Sequence, residues 1–189
     1  MVRAFSTELV DDTVLDQLLD DARRGPSAGN TQALEFLLLT GKDECDAYWA
    51  TTFSDAGRAA FRWQQLLDAP ALVIIAIRPE SYRERYAETD KARPGLGEAT
   101  EAWPVPFWWV DAGAVAQNLL LLANEHGLGA CLFGIFDHEA AVKAHFNVPD
   151  DFRLVATIAL GHPLPDEPGR SAGRRRNALD HVVHRGRWA

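Results

Sequence analysis

The sequence predicts an α+β fold, a central sheet flanked by helices, formed as a single domain over residues 1–189. Four short apolar runs bounded by turn residues read as buried strands: 34–40 (LEFLLLT), 71–77 (ALVIIAI), 130–135 (ACLFGI) and 154–160 (LVATIAL). Helical patterns lie around these runs without supplying one crossover helix per strand, which argues against a regular βαβ alternation. The composition, 47% apolar and 24% charged over 189 residues, suits one sizeable core.

The first helix is expected over residues 11–24, where Val14, Leu15, Leu18, Leu19 and Ala22 recur at helical spacing and Asp11 or Asp12 can cap the start. Further helical patterns fit residues 43–49, 58–67, 79–87 and 138–146. The segment 88–106 carries no clear element, and with the aromatic run that follows it residues 88–110 read as a lid or substrate loop. Residues 111–126, DAGAVAQNLLLLANEH, form the most informative helix. Asp111 can cap it, Gly127 can stop it, and its small first half and leucine belt predict burial on nearly every side. A domain of this size rarely encloses a helix alone, so this one is expected at a subunit interface.

Charge and cysteine usage exclude several classes. The net charge of −8 hides a basic tail: residues 170–189 hold six Arg and one acid, while residues 1–169 carry 13 cations against 26 acids. A body this acidic repels a polyanion, so nucleic acid is not an expected partner and one phosphate group matches the tail better. Residues 1–6 run straight into an acidic amphipathic segment, and no apolar run reaches the roughly 18 residues of a span. A cytoplasmic chain without membrane attachment is expected. Cys45 and Cys131 stand apart with no CxxC or paired His, which predicts two reduced thiols and no metal site.

Two glycine-bearing stretches bear on ligand binding. Gly127-Leu-Gly-Ala-Cys-Leu-Phe-Gly134 has glycines at its first, third and eighth positions and closes a helix before opening a strand. Both spacing and order differ from a dinucleotide fingerprint, so a Rossmann site is rejected. Gly134, near a strand end, instead allows a flat ligand to meet backbone N–H groups. The stretch RRGPSAGNTQALEF, residues 23–36, surrounds Pro26, Ser27, Asn30 and Gln32 with Ala28 and Gly29. That is more hydrogen-bonding capacity than a helix-to-strand turn needs, and it suits a ligand edge of alternating carbonyls and ring nitrogens, such as an isoalloxazine.

In order along the chain, VRAFS, PSAGNTQ, DAGAVAQNLLLLANEHGLGACLFGIFD and ATIALGHP followed by RRRNALDHVVHRGRW resemble the nitroreductase family of FMN-dependent oxidoreductases, over residues 2–188. The resemblance implies a mixed nitroreductase-like sheet and a homodimer with two FMN sites, each built from both chains. It implies that Arg3 and Phe5 neighbour the FMN, and that Pro26, Ser27, Ala28, Asn30 and Gln32 line the flavin from the partner chain. It also implies that Gly134 and Ile135 present N–H groups to it, and that Arg174 and Arg176 bind its phosphate. Trp103, Phe107 and Trp108 are expected to shape the substrate pocket.

The sequence departs from the common pattern at Ala33-Leu34 and Asn177-Ala178, where many members carry Pro-Trp and Pro. The implied activity is NAD(P)H-dependent reduction of a nitroaromatic, quinone-like or related small acceptor by a ping-pong two-electron mechanism. A flavin-dependent oxidase or dehydrogenase of a peptide or small metabolite, or a flavin carrier, uses the same cofactor site. No catalytic side chain is named, because no Ser-His-Asp or paired-carboxylate spacing is present.

Overall fold

The computed structural model describes residues 1–91, 95–169 and 171–188. The chain begins with a stretch that bridges Phe5 to Pro163, followed by α1, Asp12–Ala22. The Asp11 carboxylate accepts the Thr13 N–H at 2.8 Å and so caps α1, whose Leu15, Leu18 and Ala22 are buried. After β1, Leu34–Thr40, come α2, Gly41–Thr52, and a short α3, Asp55–Ala60. Then follow β2, Ala71–Ile77, α4, Glu80–Ala87, and the long α5, Phe107–Glu125. The chain continues through β3, Gly129–Phe133, α6, Glu139–Phe146, and β4, Arg153–Gly161.

The strands lie in the order β1-β2-β4-β3, with every neighbouring pair antiparallel. The α+β class stands, and the sheet among the described residues is antiparallel where a mixed one was expected. All seven residues of β2 are buried because helices cover both faces. Ala71, Val73 and Ile75 face a core shared with α1 and α5, whereas Leu72, Ile74 and Ala76 face a core shared with α2 and α6. This period of two is the pleat expressed as packing, and it makes β2 hydrophobic at every position although its neighbours are antiparallel.

Three helix expectations change. The 58–67 pattern divides into α3 and a 3-10 turn, Gln64–Leu66. Gln64 causes the division by donating its side-chain amide to the carbonyls of Arg58 and Phe61 at 2.8 and 2.6 Å, which takes up acceptors at the end of α3. The long helix starts four residues earlier than expected, so Asp111 is an interior residue and not a cap. Nor is that helix enclosed on nearly every side. Trp108, Asp111, Ala112, Val115, Ala116, Leu119 and Ala123 are buried, but Val110, Gly113, Gln117 and Leu121 form an exposed stripe at helical spacing. That stripe exposes apolar Val110 and Leu121 together with Gly113 and Gln117 on a face that a single chain does not cover.

The described residues of the segment expected as a lid are mostly turns and irregular chain. Residues 107–110 belong to α5, a 3-10 turn runs over Thr100–Ala102, and residues 92–94 lie outside the described residues. No helix of the described residues is long and apolar enough to cross a membrane.

The two layers beneath β4 are pinned by a polar contact between Tyr48 of α2 and Thr157 of β4, whose hydroxyls lie 2.8 Å apart and are buried. Tyr48→Phe leaves the Thr157 hydroxyl unpartnered, at a cost of about 1–3 kcal/mol and a Tm lower by roughly 3–8 °C. Adding Thr157→Val removes the orphan. The double variant is therefore expected to melt closer to wild type than the single one, and differential scanning calorimetry checks it.

Candidate functional site

The loop between α1 and β1 is held in an uncommon backbone shape. Gly29, Asn30 and Gln32 have φ of +67°, +56° and +52°, a left-handed conformation that costs Asn and Gln about 1 kcal/mol or more each. Several contacts impose it. The Gln32 N–H donates to Ser27 Oγ at 3.2 Å, the Gln32 amide donates to Asn30 Oδ1 at 3.0 Å, and Arg85 of α4 donates to the Gly29 carbonyl at 2.9 Å. A Cβ at Gly29 would lie 2.8 Å from the Tyr86 ring, so glycine is required there by space as well as by φ.

The deepest anchor is Asp111, only 8% exposed. Its Oδ2 accepts the Ala28 N–H at 2.8 Å and the Tyr82 hydroxyl at 2.7 Å. One carboxylate thus joins the loop, α4 and α5. Burial, and then the adjacent carboxylate, push the Tyr82 phenol well above its ordinary pKa, so it remains a donor. Pro26, Ser27 and Gln32 border a small cleft of about 90 Å³ over Tyr82 and Asp111.

A second group sits at the other edge of the sheet. Gly134 and Ile135 follow β3, and with Arg3 they line a mostly apolar cavity of about 430 Å³ walled by Tyr48, Trp49, Phe53, Phe61, Trp63 and Phe133. Neither the Gly134 nor the Ile135 N–H meets a protein acceptor among the described residues. The Arg3 guanidinium lies over the Trp63 ring, 5.2 Å from its centroid. Phe5 is 1% exposed and packs against Gly129 and Gly161, which places its side chain in the core behind the cavity. Cys131 borders the cavity with its thiol pushed up by burial, and burial pushes Cys45 up to about 12, so neither is a thiolate nucleophile near neutral pH.

The structure therefore brings Arg3, Gly134 and Ile135 together, and Pro26, Ser27, Ala28, Asn30 and Gln32 together, but not the two groups with each other. β1 and β3 are the edge strands of the sheet, three strand spacings or about 14 Å apart, and both groups lie at the same end of it. Arg174 and Arg176 are exposed on the C-terminal segment. Of the expected pocket rings, Trp103 and Trp108 are each 7% exposed and pack with Ile77 and Tyr82, whereas Phe107 is 40% exposed. Trp103 and Trp108 thus take core positions and only Phe107 offers its ring outward.

Three residues of these groups were not anticipated. Asp111 and Tyr82 act through contacts 83 and 29 residues distant in sequence, for which no local pattern exists. Phe136, at φ +50° and 85% exposed, stands at the cavity mouth, and its proximity to Gly134 was the available signal.

The nitroreductase family model matches residues 1–162. An NADPH-dependent oxidoreductase of Staphylococcus aureus strain MRSA252 is 26% identical over 192 residues, covering 99% of this chain and 70% of that protein. Among solved structures, a nitroreductase family protein of Streptococcus pneumoniae TIGR4 superposes with a TM-score of 0.72 at 20% identity, covering 97% of this chain and 94% of that one. An FMN-dependent nitroreductase of Clostridium difficile R20291 gives 0.67 at 18% identity, covering 99% and 94%.

Asp111→Ala removes two charge-assisted bonds, each of about 1.5–3 kcal/mol. Hydrogen exchange over residues 27–32 is expected to accelerate at least tenfold, while Tyr82→Phe, which spares the Ala28 bond, has the smaller effect. Unchanged exchange in Asp111→Ala would show that the loop is held by its own contacts.

Proposed function

This chain belongs to the nitroreductase family, and from that premise we propose that it is an FMN-dependent NAD(P)H oxidoreductase acting on nitroaromatic, quinone-like or related small acceptors as a homodimer. Family membership and the names of its relatives support the broader reading, an NAD(P)H-dependent oxidoreductase. The finer one rests on the geometry of the two half-sites.

The observation that carries it is the cavity beside Gly134. It offers two unpaired backbone N–H groups at a glycine edge, apolar aromatic walls and a cation at Arg3. A flat, apolar ring system with carbonyl and nitrogen acceptors along one edge and a phosphate at the end of a chain fits that set of donors. Bound there, FMN would supply two-electron exchange between NAD(P)H and the acceptor.

The protein's own residues position and polarise. Gly134 and Ile135 orient one edge through fixed N–H dipoles, which need no rearrangement as charge develops there. The loop bearing Pro26, Ser27, Ala28, Asn30 and Gln32 lies on the α5 face of its own sheet, opposite the α2 face on which this cavity opens. In a homodimer the partner's loop would close the cavity, with the exposed Val110, Gly113, Gln117 and Leu121 stripe of α5 buried between chains. Arg174 and Arg176 would then reach the phosphate, and Phe107 would face the acceptor.

The purified protein is expected to be yellow and dimeric, with about one FMN per chain, and its flavin to bleach on anaerobic addition of NADPH or NADH. A colourless monomer that takes up no FMN contradicts the reading, and bound flavin that neither nicotinamide reduces favours an oxidase or carrier instead. Arg176→Ala should weaken FMN by roughly 2–4 kcal/mol against under about 1 for Arg187→Ala. Phe107→Ala is expected to alter acceptor kinetics at full FMN occupancy. Trp103→Ala instead loses about 3–5 kcal/mol of stability, seen as a lower Tm.

A further inference from the structure

Arg85, near the end of α4, gives every nitrogen of its guanidinium a partner. Nε donates to the Gly29 carbonyl at 2.9 Å, Nη1 to Glu88 at 2.8 Å and to Asp90 at 2.7 Å, and Nη2 to the other Asp90 oxygen at 2.8 Å. The chain turns back after α4 to allow this, the Glu88 N–H donating to the Arg85 carbonyl at 3.3 Å and the Lys91 N–H to the Glu88 carbonyl at 3.0 Å. Exposed ion pairs add little, but the Arg85 side chain is only 19% exposed, and its pairing with both Asp90 oxygens is the fork that fixes the plane of a guanidinium. Glu88 touches one nitrogen and does not fix that plane alone. With the plane fixed, the Nε–H has one direction, toward Gly29.

The Gly29 carbonyl belongs to the peptide that joins two left-handed residues, Gly29 at φ +67° and Asn30 at φ +56°. A flip of that peptide changes the ψ of Gly29 and the φ of Asn30 together and would release Asn30 from its costly conformation. Across a trans peptide the carbonyl and the N–H point opposite ways, so a donor held on the Gly29 oxygen also keeps the Asn30 N–H aimed at the Ser27 carbonyl, 2.9 Å away. We propose that Asp90 is a positioning residue for the flavin: through the Arg85 guanidinium it holds the Gly29–Asn30 peptide, and with it the side chains of Asn30 and Gln32, in the conformation that meets the ring. The inference rests on the flavin reading above, and it gives residues 88–90 a role toward the cofactor where the sequence suggested a substrate loop.

The test measures the rate of FMN release from the loaded protein and amide hydrogen exchange over residues 27–32 in the flavin-free full-length chain. Asp90→Asn keeps the side-chain size and loses the charged fork, and it is expected to speed both by about three- to tenfold. Glu88→Gln is expected to stay within about twofold in both. Asp90→Glu, which can restore the fork, should return both rates toward wild type. Arg85→Lys keeps the charge without the fork, so it should match Asp90→Asn and serves as the independent variant if Asp90→Asn folds poorly. The two combined should be no worse than either alone, because both act through one contact. Equal acceleration in Glu88→Gln and Asp90→Asn, additive effects of Asp90→Asn and Arg85→Lys, no rescue by Asp90→Glu, or unchanged rates throughout overturn the assignment. A wild-type chain that binds no FMN overturns the flavin reading. The hold of Asp90 on the loop is then decided by the exchange rates alone, and unchanged exchange in Asp90→Asn overturns that as well.

Discussion

The buried Asp111 carboxylate is the contact on which the candidate site depends. It holds the Ala28 N–H of the loop and the Tyr82 hydroxyl of α4 from an interior position of α5. A carboxylate at 8% exposure is tolerated only because both partners donate to it, and breaking either leaves it under-satisfied. The left-handed Asn30 and Gln32 persist for the same reason. The surrounding contacts over-determine a backbone that the loop alone would not keep.

From that constraint the rest follows outward. α5 carries Asp111 on its inner face and an exposed Val110, Gly113, Gln117 and Leu121 stripe on its outer face, so one helix fixes the loop and presents the surface on which a partner would pack. The sheet divides the two groups. The cleft beside the loop is lined by Asp111 and Val115 of α5, whereas the cavity after β3 is walled by Tyr48 and Trp49 of α2 on the opposite face of the sheet, so within one chain the two do not open onto each other. The proposed homodimer would resolve this, its dyad carrying the partner's loop to the cavity at each end.

Much of the fold was legible because it is written in local pattern. The runs at 34–40 and 71–77 coincide with β1 and β2, since an uninterrupted apolar run between turn residues has few other places to lie. Elements were misread where a side chain overrode the pattern. Gln64 folds back onto the carbonyls ending α3 and divides a helix that periodicity alone would continue. Trp103 and Trp108 were expected to shape a substrate pocket, yet in this chain they find a buried cluster with Ile77 and Tyr82. At the candidate site, the composition of the loop pointed to Ser27, Asn30 and Gln32, and Gly134 pointed to its own N–H. The role of Asp111 was beyond reach, because a contact with a residue 83 positions away leaves no trace in spacing.

The central claim is that each flavin site is assembled from the loop of one chain and the cavity of the other. Subunit mixing tests it most directly. Ser27→Phe obstructs the loop, and Gly134→Val puts a side chain where a Cβ already lies 2.8 Å from the Phe136 ring. Each variant alone is expected to bind little FMN, and co-refolding equal amounts should restore it to about one quarter of all sites, since half of the dimers are mixed and each mixed dimer has one intact pair. Flavin content that stays at the level of the separate variants, with mixed dimers present, would contradict the shared site.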